Sequence, residues 1–378
     1  MRFIIQRDQL LASVQDVSKA ISSRTAIPIL TGMKIEASPN GITLTGSDSD
    51  ISIESFIPQE SDGNVYVEEI KPGSIVLQAR YFSEIVRKLP EQTVEIEADA
   101  NLKVIIRSGK AEFNLNGQSA EEYPQLPKLQ TDDSFTMPID LLKGMIKQTV
   151  FAVSAMETRP ILTGVSVTLQ GGSLHFTATD SHRLASRTIP VEASNVEFAN
   201  VVIPGKSLNE LYKTLDDSEE TVEISVTNNQ VLFQTKHLNF LSRLLDGNYP
   251  ETSRLIPEQS KTVIQAKTKD LIHTIDRASL LAKEERNNVV RLTTLDNNQL
   301  EITSNSPEIG RVSEEVSVQS LEGEELKISF SAKYMLDALK AMEVEDVKIN
   351  FTGAMRPFII QPVNDDQILQ LILPVRTY

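Results

Sequence analysis

The stretch Pro28-Ile29-Leu30-Thr31-Gly32 recurs without change as Pro160-Ile161-Leu162-Thr163-Gly164. A second identical pair, Tyr123-Pro124 and Tyr249-Pro250, follows further along the chain. The members of this second pair lie 126 residues apart, which is one third of the 378-residue length. Similarity at a fixed period is typical of chains built from copies of one structural unit. The sequence therefore predicts three repeats.

The third copy is visible in the spacing of apolar residues rather than in identity. Two amphipathic stripes, with apolar residues three or four positions apart, occur in each third, as expected of helices that bury one face. The first stripe comprises Leu10, Leu11 and Val14, then Leu141, Leu142 and Met145, then Leu271, Ile272 and Ile275. The second comprises Phe82, Ile85, Val86 and Leu89, then Leu208, Leu211, Tyr212 and Leu215, then Met335, Ala338, Leu339 and Met342. Three homologous domains are predicted, at 1–126, 127–254 and 255–378, with linkers near Gln125–Ser134 and Ser253–Thr262.

Each third divides again into two similar halves. A strand at Arg2–Gln6 precedes a helix predicted from Asp8 to Ile21, and three alternating apolar runs follow, separated by turn residues. The same order of one strand, one helix and three strands restarts at Ser74. Six helical segments are predicted in all, at 7–24, 80–88, 140–157, 206–217, 267–286 and 333–343. The fold class is α+β, with antiparallel sheets packed on helices.

Composition excludes several classes of site. The chain has no cysteine and four histidines, which leaves little material for disulfides or metal sites, and we expect neither a metal nor a cofactor. No apolar run approaches the about 18 residues of a membrane span, and the first residues lack the apolar core of a signal peptide. We expect a cytoplasmic protein that has no membrane partner.

The distribution of charge matters more than its total. The net charge is −15, which by itself argues against a nucleic-acid partner. The six predicted helices together carry +3, however, and the rest of the chain carries −18. Helices of this kind are suited to phosphate contacts that are independent of base sequence and sensitive to salt. Ordinary solvated helix faces would give the same count and remain the alternative. With no Trp and no base-reading motif, a duplex partner would not be read base by base.

Two short segments carry candidate chemistry. Thr179-Asp180-Ser181-His182-Arg183-Leu184 holds the residue types of a hydrolase, but consecutive strand residues alternate between faces and no nucleophile elbow is present. Ser47-Asp48-Ser49-Asp50 offers carboxylates to Mg²⁺ or Ca²⁺, but its spacing fits no standard loop and favours a solvated turn. No phosphate-binding glycine loop occurs. We predict a protein without catalytic activity; a hydrolase that uses Asp180 and His182 is the competing hypothesis.

The repeats, the Thr179–Leu184 stretch and the terminal Leu373-Pro374-Val375-Arg376 resemble the bacterial DNA polymerase III β subunit family, the replicative sliding clamps, over the whole chain. The resemblance is strongest to members from low-GC Gram-positive bacteria. It implies three tandem DNA-clamp domains, each of two strand–helix–three-strand halves. It also implies a head-to-tail homodimer, a ring with helices lining the inside and sheets outside.

The function implied by the resemblance is that of a cytoplasmic, nucleoid-associated processivity factor. Duplex DNA would pass through the ring without being read. The ring would tether the replicative polymerase, the clamp loader and repair or translesion polymerases, which bind through short linear peptide motifs. The alternative function is an acidic repeat scaffold that binds only proteins.

The resemblance assigns three sets of residues. The peptide-binding groove is implied at Leu162, Thr179, Ser181, His182, Arg183, Leu184, Pro250, Arg254, Leu255, Tyr334, Met355, Pro357, Leu371, Ile372, Leu373, Pro374, Val375 and Arg376, with Arg and His at its rim. DNA-facing positions are Arg24 and Lys206, joined from helix placement by Lys19, Arg80, Lys88, Lys143, Lys147, Lys213 and Lys340. The dimer interface is implied at Arg107, Lys110, Leu115, Leu280 and Leu281.

Overall fold

A computed structural model describes residues 1–124, 134–191, 196–216, 219–282 and 288–376. The chain forms two compact units, the first from Met1–Asp140 with Glu210–Leu244 and the second from Leu141–Asn209 with Leu245–Tyr378. These units cross the predicted domain boundaries because strands from neighbouring thirds pair in shared sheets. The boundaries at 126 and 254 therefore stay a prediction, and most of the first predicted linker lies outside the described residues.

Six α-helices occur in the described residues: α1 (Arg7–Ser18), α2 (Ala79–Lys88), α3 (Ile139–Thr149), α4 (Gly205–Thr214), α5 (Thr268–Ala282) and α6 (Ala332–Met342). They confirm the six predicted segments, although α1 and α3 end well before the predicted limits. At the end of α3, the Thr149 hydroxyl donates to the carbonyl of Met145 (2.7 Å), and a 3-10 turn at Val150–Ala152 replaces further α-helix. Parts of the predicted segments 206–217 and 267–286 lie outside the described residues.

Strands follow the helices in the predicted order, and four strands that were not predicted are added at Glu60–Ser61, Asn64–Val65, Val67–Lys71 and Ser320–Gly323. The first third contains β1 (Arg2–Gln6), β2 (Gly32–Ser38), β3 (Gly41–Ser47), β4 (Ile51–Pro58), β5 (Glu60–Ser61), β6 (Asn64–Val65), β7 (Val67–Lys71), β8 (Gly73–Gln78), β9 (Thr93–Ala98), β10 (Lys103–Ser108) and β11 (Ala111–Asn116). The second contains β12 (Ser134–Pro138), β13 (Gly164–Gln170), β14 (Ser173–Thr179), β15 (Arg183–Pro190), β16 (Phe198–Pro204), β17 (Thr221–Val226), β18 (Gln230–Gln234) and β19 (Leu238–Arg243). The third contains β20 (Thr262–Lys267), β21 (Val289–Leu295), β22 (Gln299–Ser306), β23 (Gly310–Ser317), β24 (Ser320–Gly323), β25 (Lys327–Ser331), β26 (Asp346–Phe351), β27 (Phe358–Pro362) and β28 (Ile368–Ile372).

Antiparallel pairing joins these strands into large sheets. In the first unit, one sheet has the order β11-β10-β9-β1-β7 and another the order β12-β17-β18-β19-β4-β3-β2-β8, with β5 and β6 as a small hairpin. In the second unit, the orders are β16-β13-β14-β15-β28-β27-β26-β20-β24 and β23-β22-β21-β25. Two pairs, β4 with β19 and β15 with β28, join strands from different thirds of the chain.

The duplicated pentapeptide has the same structure in both copies. Pro28–Thr31 and Pro160–Thr163 each form a 3-10 turn, and a strand begins at the following glycine. A β-carbon on Gly32 would lie 2.5 Å from Val76 Cγ1, and one on Gly164 would lie 2.7 Å from Val202 Cγ1. Both glycines therefore permit the close approach of a neighbouring strand. This shared constraint confirms that the sequence repeat is a structural repeat.

The core of the second unit is apolar and continuous. Phe330, Phe351 and Phe358 are fully buried, and their ring centroids lie 5.4 Å (Phe330–Phe358) and 5.0 Å (Phe351–Phe358) apart. The predicted stripes of α5 and α6 face this core, as shown by buried Leu271 and Leu339. Burying each large apolar side chain contributes about 1.5–3 kcal/mol to the free energy of folding. The sheets of this unit are therefore stable supports for the loops that connect their strands.

Candidate functional site

The turn between β14 and β15 is built by its own side chains. Asp180 Oδ1 accepts the backbone N–H of His182 (2.9 Å) and of Arg183 (3.1 Å). The Thr179 hydroxyl donates to the carbonyl of Arg183 (2.6 Å) and accepts the N–H of Ser181 (3.1 Å). Ser181 has φ of 76°, a left-handed conformation that a small side chain tolerates best. The Thr179–Leu184 stretch is thus a locally determined turn that fixes where His182 projects.

Arg183 is buried beneath this turn, which corrects its expected place at the rim of the groove. Its guanidinium donates from Nε to Asp180 (3.0 Å), from Nη1 to Asp337 (2.7 Å) and from Nη2 to the carbonyl of Phe151 (2.7 Å). The guanidinium carbon lies 4.5 Å from the centroid of the Tyr334 ring. The side chain is 8% exposed, and its donors serve the protein itself. Arg183 therefore ties the turn to α6 instead of offering a charge to a ligand.

The hydrolase hypothesis has no geometric support at this turn. Both carboxylate oxygens of Asp180 are occupied, Oδ1 by backbone N–H groups and Oδ2 by Arg183. The imidazole of His182 is exposed and lies beside Tyr334, with centroids 6.5 Å apart and ring planes at 19°. An acid that is committed to an arginine does not orient the histidine as a general base.

The C-terminal segment completes the site. Strand β28 pairs with β15, and Arg183 lies opposite Ile372. Beyond β28, the N–H of Leu373 donates to the carbonyl of His182 (3.0 Å) and the N–H of Val375 to the carbonyl of Ser329 (2.8 Å). From the other side, the N–H of Thr179 donates to the hydroxyl of Tyr249 (2.9 Å). Chain segments far apart in sequence thus converge on one surface of the second unit.

Burial divides the eighteen expected groove residues into three groups. The buried group is Leu162, Thr179, Arg183, Leu184, Leu371 and Ile372. The half-buried group is Tyr334, Pro357, Pro374 and Val375. The exposed group is Ser181, His182, Pro250, Arg254, Leu255, Met355, Leu373 and Arg376. The buried group supports the surface from below, and an incoming ligand would contact the other two.

Three of the exposed groove residues are large and apolar. Leu255 is 50% exposed, Met355 56% and Leu373 37%. Where exposed apolar side chains form a contiguous patch, they mark an interaction site more often than single scattered ones do. Arg254, beside Leu255, is paired with Glu251 at the surface (3.2 Å).

Sequence reasoning missed several supports of this surface. Asp337, Phe151 and Ser329 hold the turn and the C-terminal segment, but no motif distinguished them. Tyr249 had a signal, because its Tyr-Pro dipeptide repeats that of Tyr123. Burial raises the pKa of Tyr249 to about 12, so its hydroxyl remains protonated while it accepts the N–H of Thr179.

The expected DNA-facing residues differ in how available their charges are. Exposed positions are Arg24, Arg80, Lys88, Lys206, Lys213 and Lys340, and partly buried ones are Lys19, Lys143 and Lys147. Ion pairs with acidic neighbours join Lys19 to Asp16, Lys88 to Glu84, Lys147 to Glu343 and Lys213 to Glu210. Arg24 lies beyond the end of α1, in a loop where its N–H donates to the Ser22 hydroxyl, which corrects its placement on the helix.

Lys19 is the most constrained of these cations. Its ammonium donates to Asp16 (2.8 Å) and to the carbonyl of Lys213 (2.7 Å), within the first unit. Burial raises the pKa of Asp16, while the Lys19 ammonium opposes that rise. Lys19 therefore joins α1 to α4. Because Asp16 neutralises its ammonium, Lys19 attracts a phosphate only weakly.

The expected interface residues lie on two different elements. Leu115 is on β11, at the edge of its sheet, and Lys110 is exposed in the turn before it. Arg107 bonds to Glu112 (3.0 Å), Glu95 (3.3 Å) and Glu97 (3.4 Å) on neighbouring strands. Leu280 is 60% exposed and Leu281 half-buried near the end of α5, which packs against the edge strand β23.

The Ser47–Asp50 segment, a candidate cation site, is a turn held by its own side chains. Asp48 accepts the N–H of Asp50 (3.0 Å) and of Ile51 (2.9 Å), which makes Ser47–Asp50 a turn like that at Asp180. Within the described ranges, no cluster of three or more His, Cys, Asp or Glu side chains is arranged to hold a metal ion. The helices described above are all too short or too polar to cross a membrane.

Comparisons with known proteins cover the whole chain. Residues 1–127, 136–251 and 253–376 match the family models of the DNA polymerase III beta subunit N-terminal, central and C-terminal domains. The chain is 60% identical over 378 residues to the beta sliding clamp of Bacillus subtilis and 54% identical over 380 residues to that of Halalkalibacterium halodurans, with 100% of each chain covered. The crystal structure of the Bacillus subtilis DNA polymerase sliding clamp superposes with a TM-score of 0.96 at 60% identity, and that of the Streptococcus pneumoniae DNA polymerase III beta chain with 0.95 at 40%, again over 100% of both chains.

Replacing Arg183 with Met tests its supporting role. The change leaves Asp180 and Asp337 without their cation in a poorly hydrated place, which costs about 3–5 kcal/mol for a fully buried pair. We expect roughly 2–3 kcal/mol here, because Asp337 is 32% exposed. Denaturant unfolding of the full chain measures the loss.

Arg254→Met is the matched control, since its pair with Glu251 is exposed. We expect a change below about 1 kcal/mol for this control. Equal stabilities of the two variants would show that Arg183 is not a structural support.

Proposed function

Because this chain belongs to the bacterial DNA polymerase III β subunit family and is a sliding clamp without catalytic activity of its own, we propose that two copies close head to tail around duplex DNA. The observation that carries the assembly is the repeated use of one kind of strand pairing. The last strand of one half-repeat, β4 or β15, pairs with the last strand of a half-repeat in the next third, β19 or β28.

The same pattern leaves two strands in equivalent positions without such a partner. Strand β23 ends the first half of the third repeat, and β11 ends the second half of the first repeat. Each lies at the edge of its sheet. Pairing β23 of one copy with β11 of another would continue the series and cover two edges that otherwise invite aggregation. Such a contact joins unlike surfaces and closes into a ring when the rotations sum to a full turn.

Substitution of Leu280 tests this interface. Leu280 is 60% exposed on α5, beside β23, so Leu280→Lys costs the fold little but places a charge in the proposed contact. We expect sedimentation equilibrium to show a monomer at concentrations where the unaltered chain is a dimer.

Ile27→Lys is the control, because Ile27 is also exposed (43%) and belongs to neither β11 nor β23. A dimer that survives Leu280→Lys, or that is lost equally in both variants, would contradict the proposed interface.

DNA retention follows from encirclement rather than from tight contacts. The predicted helices are less acidic than the rest of the chain, and Arg24, Arg80 and Lys206 are exposed. Weak phosphate contacts of this kind permit sliding and are independent of sequence. A closed ring is nevertheless held on circular DNA, because escape requires the ring to open. We place the protein in the cytoplasm at the nucleoid.

Linearisation of the DNA tests encirclement. The protein is placed on a nicked plasmid circle by a bacterial clamp loader with ATP, and the circle is then cut once. We expect the protein to co-elute with the circle in gel filtration and to separate from the linear form, since a threaded ring slides off an end. Equal retention on both forms would contradict encirclement, and no retention on the circle would favour the acidic scaffold that binds only proteins.

The surface around His182, Leu255 and Leu373 is proposed as the groove for linear peptides of partner proteins. Its apolar side chains suit Leu and Phe anchors, and backbone groups near the C-terminal segment suit an extended chain. The replicative polymerase, the clamp loader and repair or translesion polymerases are the proposed owners of such peptides.

Met355→Ser tests the groove with a fluorescent peptide that carries two Leu and one Phe. We expect affinity to fall roughly tenfold, because the change removes one exposed apolar wall. Val65→Ser, at an exposed apolar residue of the first unit, is the control and should bind like the unaltered chain. An unchanged affinity for Met355→Ser would place the groove elsewhere.

A further inference from the structure

Two neighbouring cavities lie beside the groove on the third repeat. One, of about 370 Å³, is lined by Ala354, Met355, Val375 and Arg376 together with Arg291, Lys327 and Ser329. The other, of about 640 Å³, is lined by the same Arg291, Lys327 and Ser329 and by residues of β21, β22 and β23 that include Arg311. Since three lining residues are common to both, the two cavities form one continuous depression across the sheet β23-β22-β21-β25, which we call the basic depression.

The charge of the basic depression is opposite to that of the chain. Four basic residues line it, namely Arg291, Arg311, Lys327 and Arg376, and no acidic residue appears among the described residues of its lining. Across the whole sequence, 52 acidic residues outnumber 37 basic ones. A concentration of positive charge on a negative protein favours an anionic partner.

The exposed cations of the depression are weakly paired among the described residues. Lys327, Arg311 and Arg376 are exposed. Arg311 approaches Glu301 at 3.9 Å, and with 66% of the Arg311 side chain exposed this pair contributes little. Arg291 is more constrained, since its Nε donates to the Ser329 hydroxyl (3.3 Å). The exposed cations can therefore turn toward an anion without breaking a strong contact.

The depression is continuous with the proposed groove. Met355, Val375 and Arg376 belong to both, and Val375 is bonded through its N–H to the carbonyl of Ser329, on the strand that carries Lys327. A peptide anchored by apolar residues near Leu373 and Met355 would thus continue directly onto the basic sheet face. Its next side chains would meet cations instead of apolar walls.

We propose that the basic depression binds an acidic segment that flanks the apolar anchors of a partner's linear peptide. The inference rests on the proposed groove and names a second feature of its ligand. Strands β25 and β23 are separated by three strand spacings, about 14 Å, which an extended chain spans with about four residues. The expected partner segment is therefore about four residues long and rich in Asp or Glu.

An acidic peptide fits the depression better than single-stranded nucleic acid does. Bases bind protein surfaces mainly by stacking on aromatic rings. None of the described residues that line the depression is aromatic. Apolar anchors next to a cluster of cations instead match a ligand in which leucines and carboxylates are adjacent.

Paired peptides test the inference on the full-length protein. Four fluorescent peptides are used, and each carries two Leu and one Phe. In two of them four Asp either precede or follow these apolar residues, and in the other two four Ser take the same places. At low salt we expect one of the two Asp peptides to bind about fivefold or more tightly than its Ser counterpart, with the advantage disappearing as salt screens the charges. In the double variant Arg311→Gln/Lys327→Gln, we expect this advantage to be lost while the Ser peptide binds as before. Arg87→Gln/Lys236→Gln, at two exposed cations of the first unit, should keep the advantage.

The outcomes separate this inference from the proposed groove. If the Ser peptides do not bind the unaltered protein, the groove itself is wrong. If they bind but neither Asp peptide gains, or if the gain survives Arg311→Gln/Lys327→Gln, the acidic-segment inference is overturned and the groove stands. A twelve-residue oligothymidylate is titrated in parallel. If it binds more tightly than the Asp peptides and loses affinity in the same double variant, the depression belongs to nucleic acid and the inference is likewise overturned.

Discussion

Antiparallel pairing between strands of different repeats is the constraint on which the architecture depends. A sheet that ends in a free strand leaves backbone N–H and C=O groups without partners, and this protein satisfies them by joining one repeat to the next. The β4–β19 and β15–β28 pairs do so inside the chain. Because the repeats are homologous, β23 and β11 present the same kind of edge at the two ends of the series. The head-to-tail assembly that we propose would thus arise from the repeat itself, and the surface leucines of α5 would only add to it.

The two internal junctions share one backbone but differ in chemistry. At the first, Asp48 folds the turn and Ser49 has φ of 80°, just as Asp180 and Ser181 do at the second. The position of Arg183 is occupied by Ile51 at the first junction, by alignment of the two turns. Only the second junction therefore has a buried guanidinium that binds the turn to α6. The turn beside the proposed groove is thus fixed to α6 without any change in topology.

The sequence predicted the fold to the level of individual halves, because apolar spacing and turn residues act locally. The identical pentapeptides and the stripes of α5 and α6 were sufficient for that. Chain segments that meet through long-range pairing were harder to foresee. Arg183 was placed in the groove by the resemblance, with arginines expected at the rim, and its buried partner Asp337 lies 154 residues away, where no local pattern could indicate it. Arg311 and Lys327 escaped notice for the same reason: they come together only when β21, β22, β23 and β25 form one sheet.

Local charge, rather than net charge, determines which polyanions this protein attracts. Its net charge of −15 opposes the approach of nucleic acid, but salt screens this repulsion beyond about one Debye length, and Coulomb interactions at contact depend on the nearest groups. Several helix lysines are already neutralised by neighbours, as Lys147 is by Glu343, so the phosphate contacts proposed for them would be individually weak. Weak contacts are a requirement for movement along DNA, because each must break at every step. The basic depression differs, since its exposed cations lie beside Met355 and Val375 of the proposed groove. In the function that we propose, the same side-chain chemistry would thus serve transient contact with DNA on the helices and stationary recognition of a peptide on the sheet.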